Sequence, residues 1–516
     1  MAQNPSSPDA ASSSIPFMDD AARQAAMRVI FLTVFLDLLG FGIIIPQLAV
    51  YASQFGANPS MVGLLASTYS AMSFLSTPFW GRLSDRIGRR PVMLYSIFGT
   101  AIGYVCFALA HSLPLLFLAR IVDGVTAGNI STAQAYISDI TPAKDRAKTL
   151  GLFGAIFGLG FALGPLVGAL LSQLPAPWGG NFGIGLFTAT LSFINWAMAL
   201  RRLPETLSPE IRSANREGDV AAQRPLFNFH GFRRAFQLPG LNLMIAISFF
   251  ATLAFATLQG TYTLFLIKQY TRPEVQNHIR QNPQAAIRAA QREIIAAKTG
   301  GNGPSLGASE DGAPVEVGAE NEPYPLSMGG AFSFNEVTPP EGLTWTRIEK
   351  LLVRSRAATF AAWIFASIGV VSLLTQGGLI GPLKKRFGEV NLVIVGTLLM
   401  AIGLALVPFP KQIAGEFPVM ALLAFGNSIA TPILTALVSE LAPENERGEM
   451  IGVFQSVGSL GRIFGPNVGG TLFNTISSGA PYFAGGIIMM ISFVFALGLR
   501  GVRAGHLPQT AVTPAE

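Results

Sequence analysis

Two sequence signatures occur twice in this chain, at nearly the same spacing of about 300 residues. The first is a short charged loop at 81–90, which returns in altered form at 381–390. The second is a run of glycines with a Gly-Pro pair, found at 151–168 and again at 452–469. Because two unrelated patterns share one spacing, the chain is predicted to be a duplicated bundle of two similar halves.

The composition places this bundle in a membrane. Only 12% of the 516 residues are charged and 50% are hydrophobic, whereas soluble domains average about 25% charged residues. Hydrocarbon offers no partners to backbone polar groups, so each long apolar segment is predicted to be a helix. The predicted fold class is an all-α membrane protein with twelve transmembrane helices in two six-helix, pseudo-symmetric halves. The segments lie at 27–52, 60–80, 92–110, 113–139, 149–172, 181–200, 241–267, 356–381, 390–409, 414–440, 449–475 and 481–500.

The loop charges predict the orientation. Lys and Arg concentrate in the loops after the second, fourth and eighth helices, whereas alternate loops such as 53–59 and 476–480 carry none. Short loops rich in Lys and Arg stay cytoplasmic, so both termini are predicted to be cytoplasmic in a plasma (inner) membrane. The predicted organisation is a disordered cytoplasmic tail at 1–26, a first half at 27–200, a cytoplasmic linker at 201–240, a second half at 241–500 and a cytoplasmic tail at 501–516.

An insertion at 268–355 separates the seventh and eighth helices on the extracytoplasmic side. Residues 273–298 have the apolar spacing of one amphipathic helix, and 343–355 form a second helical piece. Two interpretations stay open: a decoration of the outer surface, or a cap that docks a partner or acts as a gate.

Several classes of function are excluded by what the sequence lacks. The net charge of +6 is spread over short loops and forms no basic stripe, so no nucleic-acid partner is expected. Cys106 is the single cysteine and the four histidines are scattered, so no disulfide, metal site or cofactor is expected. No P-loop or nucleophile elbow is present, so the protein is predicted not to be an enzyme. We expect a monomer in the lipid bilayer.

The loop after the second helix predicts a charged latch. Asp85 is surrounded by basic residues, and Asp139 closes the fourth helix at the same membrane face. A carboxylate at a helix C-terminus opposes the helix dipole unless a cation pairs with it. Asp85 could instead cap the start of the eleventh helix and join the halves; ordinary topogenic charges are the alternative. Gly81 and Gly88 suit tight backbone between packed helices. The basic members are Arg86, Arg89 and Arg90.

Glycines in the fifth helix allow close packing of helix backbones, and a proline within it produces a kink. We interpret this surface as the hinge and contact between the two halves; simple packing within a half is the alternative. The residues are Gly151, Gly160, Gly164, Pro165 and Gly168.

Charges at membrane depth mark the candidate coupling site. Asp37 lies near the midplane of the first helix, and Arg120 and Asp123 lie three residues apart in the fourth. Such charges cost several kcal/mol, roughly 2.5–3.5 on insertion scales, and face cavities. Asp37 is predicted to bind the proton with Arg120 as its partner, although a permanent ion pair stays open. Asp123 is either a static partner of Arg120 or a second proton site.

Polar residues in the helices predicted to face the cavity between the halves form a candidate substrate site. Arg462 could meet an anionic substrate group or pair with an acidic residue across the cavity. The set is Gln47, Asn129, Gln134, Gln259, Asn427, Gln455 and Arg462.

The loop and glycine motifs resemble those of the major facilitator superfamily. Together with 37–46 in the first helix and 120–124 in the fourth, they are similar to the twelve-helix drug:proton antiporter branch, of the tetracycline-efflux type. Tetracycline exporters place further acidic residues in their third and ninth helices. This chain has none at 97–104 or 392–406, which argues against metal-chelated tetracycline as the substrate.

The resemblance implies a secondary active transporter with protons and a small-molecule substrate as partners. The leading interpretation is proton-coupled export of amphipathic, drug-like molecules by alternating access. The alternative is a facilitator or symporter of a polar metabolite such as a sugar or organic anion. A sensor that has lost transport is a third possibility.

Overall fold

The computed structural model describes residues 20–141, 143–172, 174, 178, 180–206, 229–299, 344–442 and 447–505. Its regular structure in these ranges is entirely helical. The first half contains seven helices, which are α1 (Asp20–Gln54), α2 (Pro59–Ile87), α3 (Arg89–Ala108), α4 (Leu113–Val125), α5 (Asn129–Ile140), α6 (Ala143–Ser172) and α7 (Asn181–Arg202).

The second half is preceded by a short helix and interrupted by the insertion. Its elements are α8 (Phe229–Gln237), α9 (Leu241–Leu266), a π turn (Ile267–Thr271), α10 (Arg272–Gln281), α11 (Pro283–Thr299), α12 (Trp345–Leu374), a second π turn (Thr375–Leu379), α13 (Ile380–Phe387), α14 (Glu389–Leu406), α15 (Glu416–Leu441), α16 (Arg447–Thr475) and α17 (Ala480–Gly505).

All twelve predicted segments fall in helices, and eight described helices are individually long and apolar enough to cross a membrane. Two of the others, α2 and α16, pack against each other between the halves. There they carry polar groups such as Ser67, whose hydroxyl accepts a hydrogen bond from Asn467 Nδ2 at 3.0 Å. Polar residues of this kind are tolerated because they face the partner half rather than lipid.

The fourth segment is two helices, not the single helix that was predicted. α4 ends at Val125 and α5 begins at Asn129. The groups freed by the break are bound locally, since Trp80 Nε1 donates to the Val125 carbonyl at 2.6 Å and the Gly128 amide donates to Ser96 Oγ at 3.0 Å. Within a membrane a broken helix is stable only where such partners replace the lost bonds.

The two faces of the bundle differ in how the halves meet. We name the face with the Gly88 and Gly388 turns the motif face, and the opposite face, from which α10 and α11 extend, the stalk face. A single apolar core cluster on the stalk side contains residues of both halves, including Leu65, Tyr104, Leu258 and Tyr262. On the motif side each half has its own cluster. The halves are therefore closed together at the stalk face.

Close backbone contacts confirm this closure. A Cβ added at Gly63 of α2 would collide with the Pro466 carbonyl of α16, and one added at Gly470 would collide with the Pro59 carbonyl. On α9, Thr263 Oγ1 lies 3.5 Å from the Pro46 carbonyl of α1. Side chains other than glycine would push these helices apart.

The insertion forms a helical stalk. From α9 through the π turn to α10 the chain is one helix of 41 residues, Leu241–Gln281, about 60 Å long against a hydrocarbon core of about 30 Å. The amphipathic segment predicted as one helix is two, α10 and α11, because Pro283 ends the first. The predicted piece at 343–355 is the start of α12 and not a separate helix.

The stalk has a small core of its own. Val275 and Ile279 of α10, Ile287 of α11, and Ile348 and Leu352 of α12 are buried against one another. Arg272 Nε donates to Glu349 Oε1 at 2.8 Å, and this glutamate is only 1% exposed. The apolar stripe of the insertion therefore rests on the extended end of α12.

Some predicted boundaries change. Residues 20–26, assigned to the tail, belong to α1, and α8 occupies part of the linker. The linker stretch 207–228, the Gly/Ser/Glu-rich stretch 300–322 and the rest of both tails lie outside the described residues.

Candidate functional site: a charged cluster between the halves

A buried ion pair lies in α4, close to the break before α5. Arg120 Nη2 lies 3.2 Å from Asp123 Oδ2, and the two side chains are 2% and 4% exposed. Residues three apart on a helix face the same side. The backbone of Asp123 packs against Gly103 of α3, where an added Cβ would lie only 3.0 Å from Asp123 Cβ. The pair is thus locked between two helices.

Tyr69 of α2 lies close to charged residues of several helices. Its ring lies 6.0 Å from the Arg120 guanidinium and 4.9 Å from the ring of Phe41 on α1. It also interacts electrostatically with Asp37 of the first half and Arg462 of the second. A phenol can donate or accept a hydrogen bond, so Tyr69 can connect acidic and basic groups on several helices.

Asp37 lies one turn from the place where Tyr104 of α3 touches α1. A Cβ added at Gly40 would lie 3.0 Å from the Tyr104 hydroxyl, and Tyr104 interacts electrostatically with Asp37 and Asp123. Arg120 forms an ion pair with Asp123, and the predicted partnership of Arg120 with Asp37 stays a prediction. Tyr69 and Tyr104 lie within electrostatic reach of Asp37.

Arg462 is the contribution of the second half. It lies on α16, its Nη2 donates to Ser459 Oγ at 2.7 Å, and the residue is exposed. Of the two alternatives for Arg462, an ion pair across the cavity is not observed among the described residues. An accessible guanidinium beside an aromatic ring can bind an anionic or aromatic group.

The other predicted cavity residues are distributed along the interface. Gln455 Nε2 of the second half donates to Gln134 Oε1 of the first half at 3.4 Å. Gln47 is 1% exposed, and neither of its amide atoms has a hydrogen-bond partner in the part of the chain that the structure describes. Asn427 Oδ1 accepts from Thr431. Gln259 is half-buried, and the side chain of Asn129 lies outside the described part of the chain.

The loop motif forms a charge network centred on Arg89. Arg89 Nη1 donates to Asp85 Oδ1 at 2.5 Å and Nε donates to Asp139 Oδ2 at 3.0 Å. The predicted pairing of these aspartates with a cation is thus observed, with Arg89 as the shared cation. Gly88 has φ of 111°, which favours glycine, but an added Cβ at Gly81 would meet no atom within 4 Å. The prediction that Gly81 is needed for tight packing is therefore wrong.

The basic neighbours of Arg89 have separate contacts. Arg90 Nη2 donates to the Leu200 carbonyl at 2.8 Å, which ties the motif to α7. Arg86 closes the last turn of α2, where a cation suits the helix dipole. The side chains at the start of α16, where Asp85 was predicted to latch the halves, lie outside the described residues.

Glu205 is a member of this network that the sequence analysis did not assign. Its Oε1 accepts from the Arg89 amide at 2.9 Å and its Oε2 accepts from the Arg90 amide at 3.3 Å. It therefore caps α3 from the end of α7, and a Cβ at Gly88 would collide with it. Pro204 and Glu205 directly after a membrane span are visible in the sequence. The cap itself could not be predicted, because it depends on a tertiary contact between the end of α7 and the start of α3.

The corresponding turn in the second half reverses the charges. Gly388 again has a positive φ, 75°, but here Lys384 precedes the turn and Glu389 follows it, and the two form an ion pair. The first half has the acid, Asp85, before the turn and the base, Arg89, after it. The second turn is therefore wired differently, and Lys385 occupies the position that corresponds to Asp85.

The glycine motif of α6 contacts α1 of its own half, which corrects the prediction that it joins the two halves. A Cβ at Gly160 would lie 2.7 Å from Leu38 Cβ, one at Gly164 2.6 Å from Gly42 Cα, and one at Gly168 2.9 Å from the Ile43 carbonyl. Pro165 lies inside the helix beside Gly42. Gly151 lies in the same helix, and its packing is outside the described part.

The second-half glycines repeat this arrangement. Gly461, Gly465 and Gly469 of α16 pack in the same way on α9. The pattern brings the fifth helix of each half close to the first, because only hydrogen stands between the backbones. The same helix α6 also packs on α12 of the second half.

Comparison with known proteins agrees with this architecture. A family model described as Major Facilitator Superfamily matches residues 30–275 and 349–515. The chain belongs to the major facilitator superfamily. It is 29% identical over 446 residues to the tetracycline resistance protein, class C, of Escherichia coli, covering 86% of this chain and 88% of that protein. It is 30% identical over 172 residues to the quinolone resistance protein NorA of Staphylococcus aureus, covering 32% and 44%.

A second group of relatives carries a different description. Major facilitator superfamily domain-containing protein 10 of Bos taurus is 33% identical over 222 residues, covering 37% of this chain and 47% of that protein. The crystal structure of the human organic anion transporter MFSD10 (TETRAN) matches with a TM-score of 0.57 at 19% identity, covering 92% of this chain and 99% of that one. At this identity the structural match shows the fold. The protein is an integral membrane transporter with a small-molecule substrate.

Proposed function

We propose that this transporter is a proton-coupled exporter of amphipathic, drug-like small molecules that works by alternating access. The observation that carries the proposal is the cluster around Tyr69, where Asp37, Asp123 and Arg120 of the first half lie near Arg462 of the second half at membrane depth. Charges in such positions are typical of proton and substrate pathways. The similarity to tetracycline and quinolone resistance proteins supports export.

In this proposal the motif face is cytoplasmic, because its loops carry the excess of Lys and Arg. Both termini are then cytoplasmic, in the plasma (inner) membrane, and closure at the stalk face corresponds to a cytoplasm-facing state. The transporter works as a monomer without a cofactor and catalyses no chemical reaction.

The experiment is transport into inside-out vesicles, where export is measured as uptake. An acid-inside pH gradient should drive accumulation of ethidium or of a fluorescent quinolone, and a protonophore should abolish it. Accumulation that is insensitive to the protonophore would contradict proton coupling. Uptake driven only by the opposite gradient would identify a symporter.

Export of organic anions is a second candidate, favoured by one observation. The Arg462 guanidinium is exposed, and the only hydrogen bond it makes among the described residues is to Ser459. A carboxylate substrate could bind it with two parallel hydrogen bonds, and the MFSD10 transporter shares the fold. If this candidate is correct, Arg462→Gln abolishes carboxyfluorescein transport and leaves ethidium transport intact.

A further inference from the structure

One buried acid lies outside the cluster around Tyr69. Glu416 begins α15 at the stalk end of the second half and is 0% exposed. Its Oε2 lies 3.0 Å from the Tyr262 hydroxyl, and its Oε1 lies 2.7 Å from the Tyr270 hydroxyl. No described Lys or Arg lies within ion-pair distance of it. A buried charge without a cation is costly.

The hydrogen bonds around Tyr270 show where a proton fits. The Tyr270 hydroxyl lies 2.7 Å from Glu416 Oε1 and also 2.7 Å from the Pro410 carbonyl. A hydroxyl has one proton, and both a carboxylate and a carbonyl can only accept. With a proton on Glu416, the carboxyl donates to Tyr270 and Tyr270 donates to Pro410, so that every close oxygen pair contains a proton.

Among the described residues, the surroundings provide no other charge to balance an ionised Glu416. Tyr262 and Tyr482, which face this site from α9 and α17, are neutral phenols, and α12 contributes the Phe365 ring against Tyr262. The charged groups described near the site are exposed, paired or distant. They include Lys268 in the π turn, Lys411 in the preceding loop, Arg356 of α12, which pairs with Glu274, and Glu389 at the far end of α14.

The site is connected to the closure of the stalk face. Thr263, the residue after Tyr262, lies against the Pro46 carbonyl of α1 in the other half. The π turn, which places Tyr270 over Glu416, leads directly into the stalk. Local π turns inside helices are frequent at functional sites. A change at Glu416 therefore acts on α9 where it meets α1.

We propose that Glu416 is a second proton-binding site, which holds its proton while the stalk face is closed and favours opening of that face when the proton is lost. Opening admits water, which solvates the carboxylate and removes the cost of burying it. The proposal uses the alternating access proposed above, but it does not require Asp37 to carry the coupling proton.

The test is cysteine labelling of the purified full-length protein with a polar maleimide, from about pH 5 to about pH 9. In a Cys106→Ser background, Ser60→Cys reports closure, because Ser60 Oγ lies 3.5 Å from the Gly470 carbonyl. The exposed Ser477→Cys corrects for thiol ionisation. The corrected labelling of Ser60→Cys should rise severalfold with pH. Glu416→Gln should stay slow at every pH, because its amide donates to Tyr270 without charge.

Two further variants make the result decisive. Tyr270→Phe keeps the ring and removes the hydroxyl that lies between Glu416 and the Pro410 carbonyl, so the midpoint of labelling should shift along the pH scale. Asp37→Asn should leave the pH dependence of Ser60→Cys labelling in place, whatever it does to transport. Unchanged profiles in Glu416→Gln or, where that variant does not fold, in Tyr270→Phe would overturn the proposal. Loss of the pH dependence in Asp37→Asn alone would assign the proton to Asp37.

Discussion

Arg120 and Asp123 neutralise each other in α4, which leaves Asp37 as the better candidate for the exchangeable proton. The pair is almost fully buried, so removing either member would leave an uncompensated charge. Asp37, which is only half-buried, can be reached by water more easily than Asp123. We therefore expect the exchangeable proton at Asp37 and a structural role for Asp123.

This expectation predicts the behaviour of Asp37 variants. Asp37→Asn cannot bind and release a proton, so uptake driven by a pH gradient should fall at least tenfold, while the protein is made at the wild-type level. Asp37→Glu retains the carboxyl group and should keep part of the activity. Uptake into inside-out vesicles measures both. Full gradient-driven uptake by Asp37→Asn would remove Asp37 from the mechanism.

Glu205 allows a test of the cap on α3. Glu205→Ala removes the acceptor for the Arg89 and Arg90 amides, and loss of such a cap costs about 0.5–2 kcal/mol. The temperature of unfolding, followed by tryptophan fluorescence, should decrease. Glu205→Gln keeps one acceptor oxygen and should lie between Glu205→Ala and the wild type.

The matched control for the cap is Glu274→Ala. Glu274 is half-exposed in its ion pair with Arg356, and surface pairs of this kind contribute little. Its removal should leave the unfolding temperature almost unchanged. Equal unfolding temperatures for Glu205→Ala and the wild type would show that the cap contributes no stability.

At the scale of the helices, the apolar segments could be predicted because every membrane-spanning backbone must bond within its own helix. The break between α4 and α5 could not, because the partners that stabilise it, Trp80 and Ser96, come from α2 and α3. The residues of the glycine motif could also be predicted, because their spacing is visible in the local sequence. Which helix the glycines contact is a tertiary fact: Gly160, Gly164 and Gly168 pack on α1 of their own half, and α6 also packs on α12 of the other half.

The contact of α6 with α1 can be tested by adding one methyl group. In Gly164→Ala the new Cβ would lie 2.6 Å from Gly42 Cα, and overpacking of this kind costs about 1–3 kcal/mol. We expect a lower unfolding temperature and slower transport. Gly452→Ala is the control, because Gly452 lies in the corresponding helix of the second half with no atom within 4 Å of an added Cβ. Equal effects of the two substitutions would contradict the close contact.

At the scale of the whole molecule, two halves close at one face beneath a stalk with its own core. The duplication and the position of the insertion could be predicted from the repeated motifs. The stalk core could not, because it pairs the insertion with residues such as Ile348 that continue into a membrane helix. Glu349 illustrates how the two ends of the insertion depend on each other, since its partner Arg272 lies at the opposite end.

The contacts within the stalk core determine which deletion of the insertion the protein should tolerate. A deletion of 272–342 would leave Glu349 buried without Arg272 and would expose Ile348 and Leu352. Replacement of 273–355 by a short Gly/Ser linker removes both sides of the small core, and shortening a loop changes its closure entropy only slowly. We expect this shorter protein to fold and to transport. If it folds and fails to transport, the stalk is part of the gate and not a decoration.

The central claim, that outward substrate movement is exchanged for inward protons, is tested most directly by measuring the protons. Proteoliposomes with a pH-sensitive dye inside are given a substrate gradient and no initial pH gradient. In wild-type liposomes protons should move opposite to the substrate, and in Asp37→Asn liposomes they should not move. Proton movement in the same direction as the substrate, or substrate movement with no proton flux, would contradict antiport.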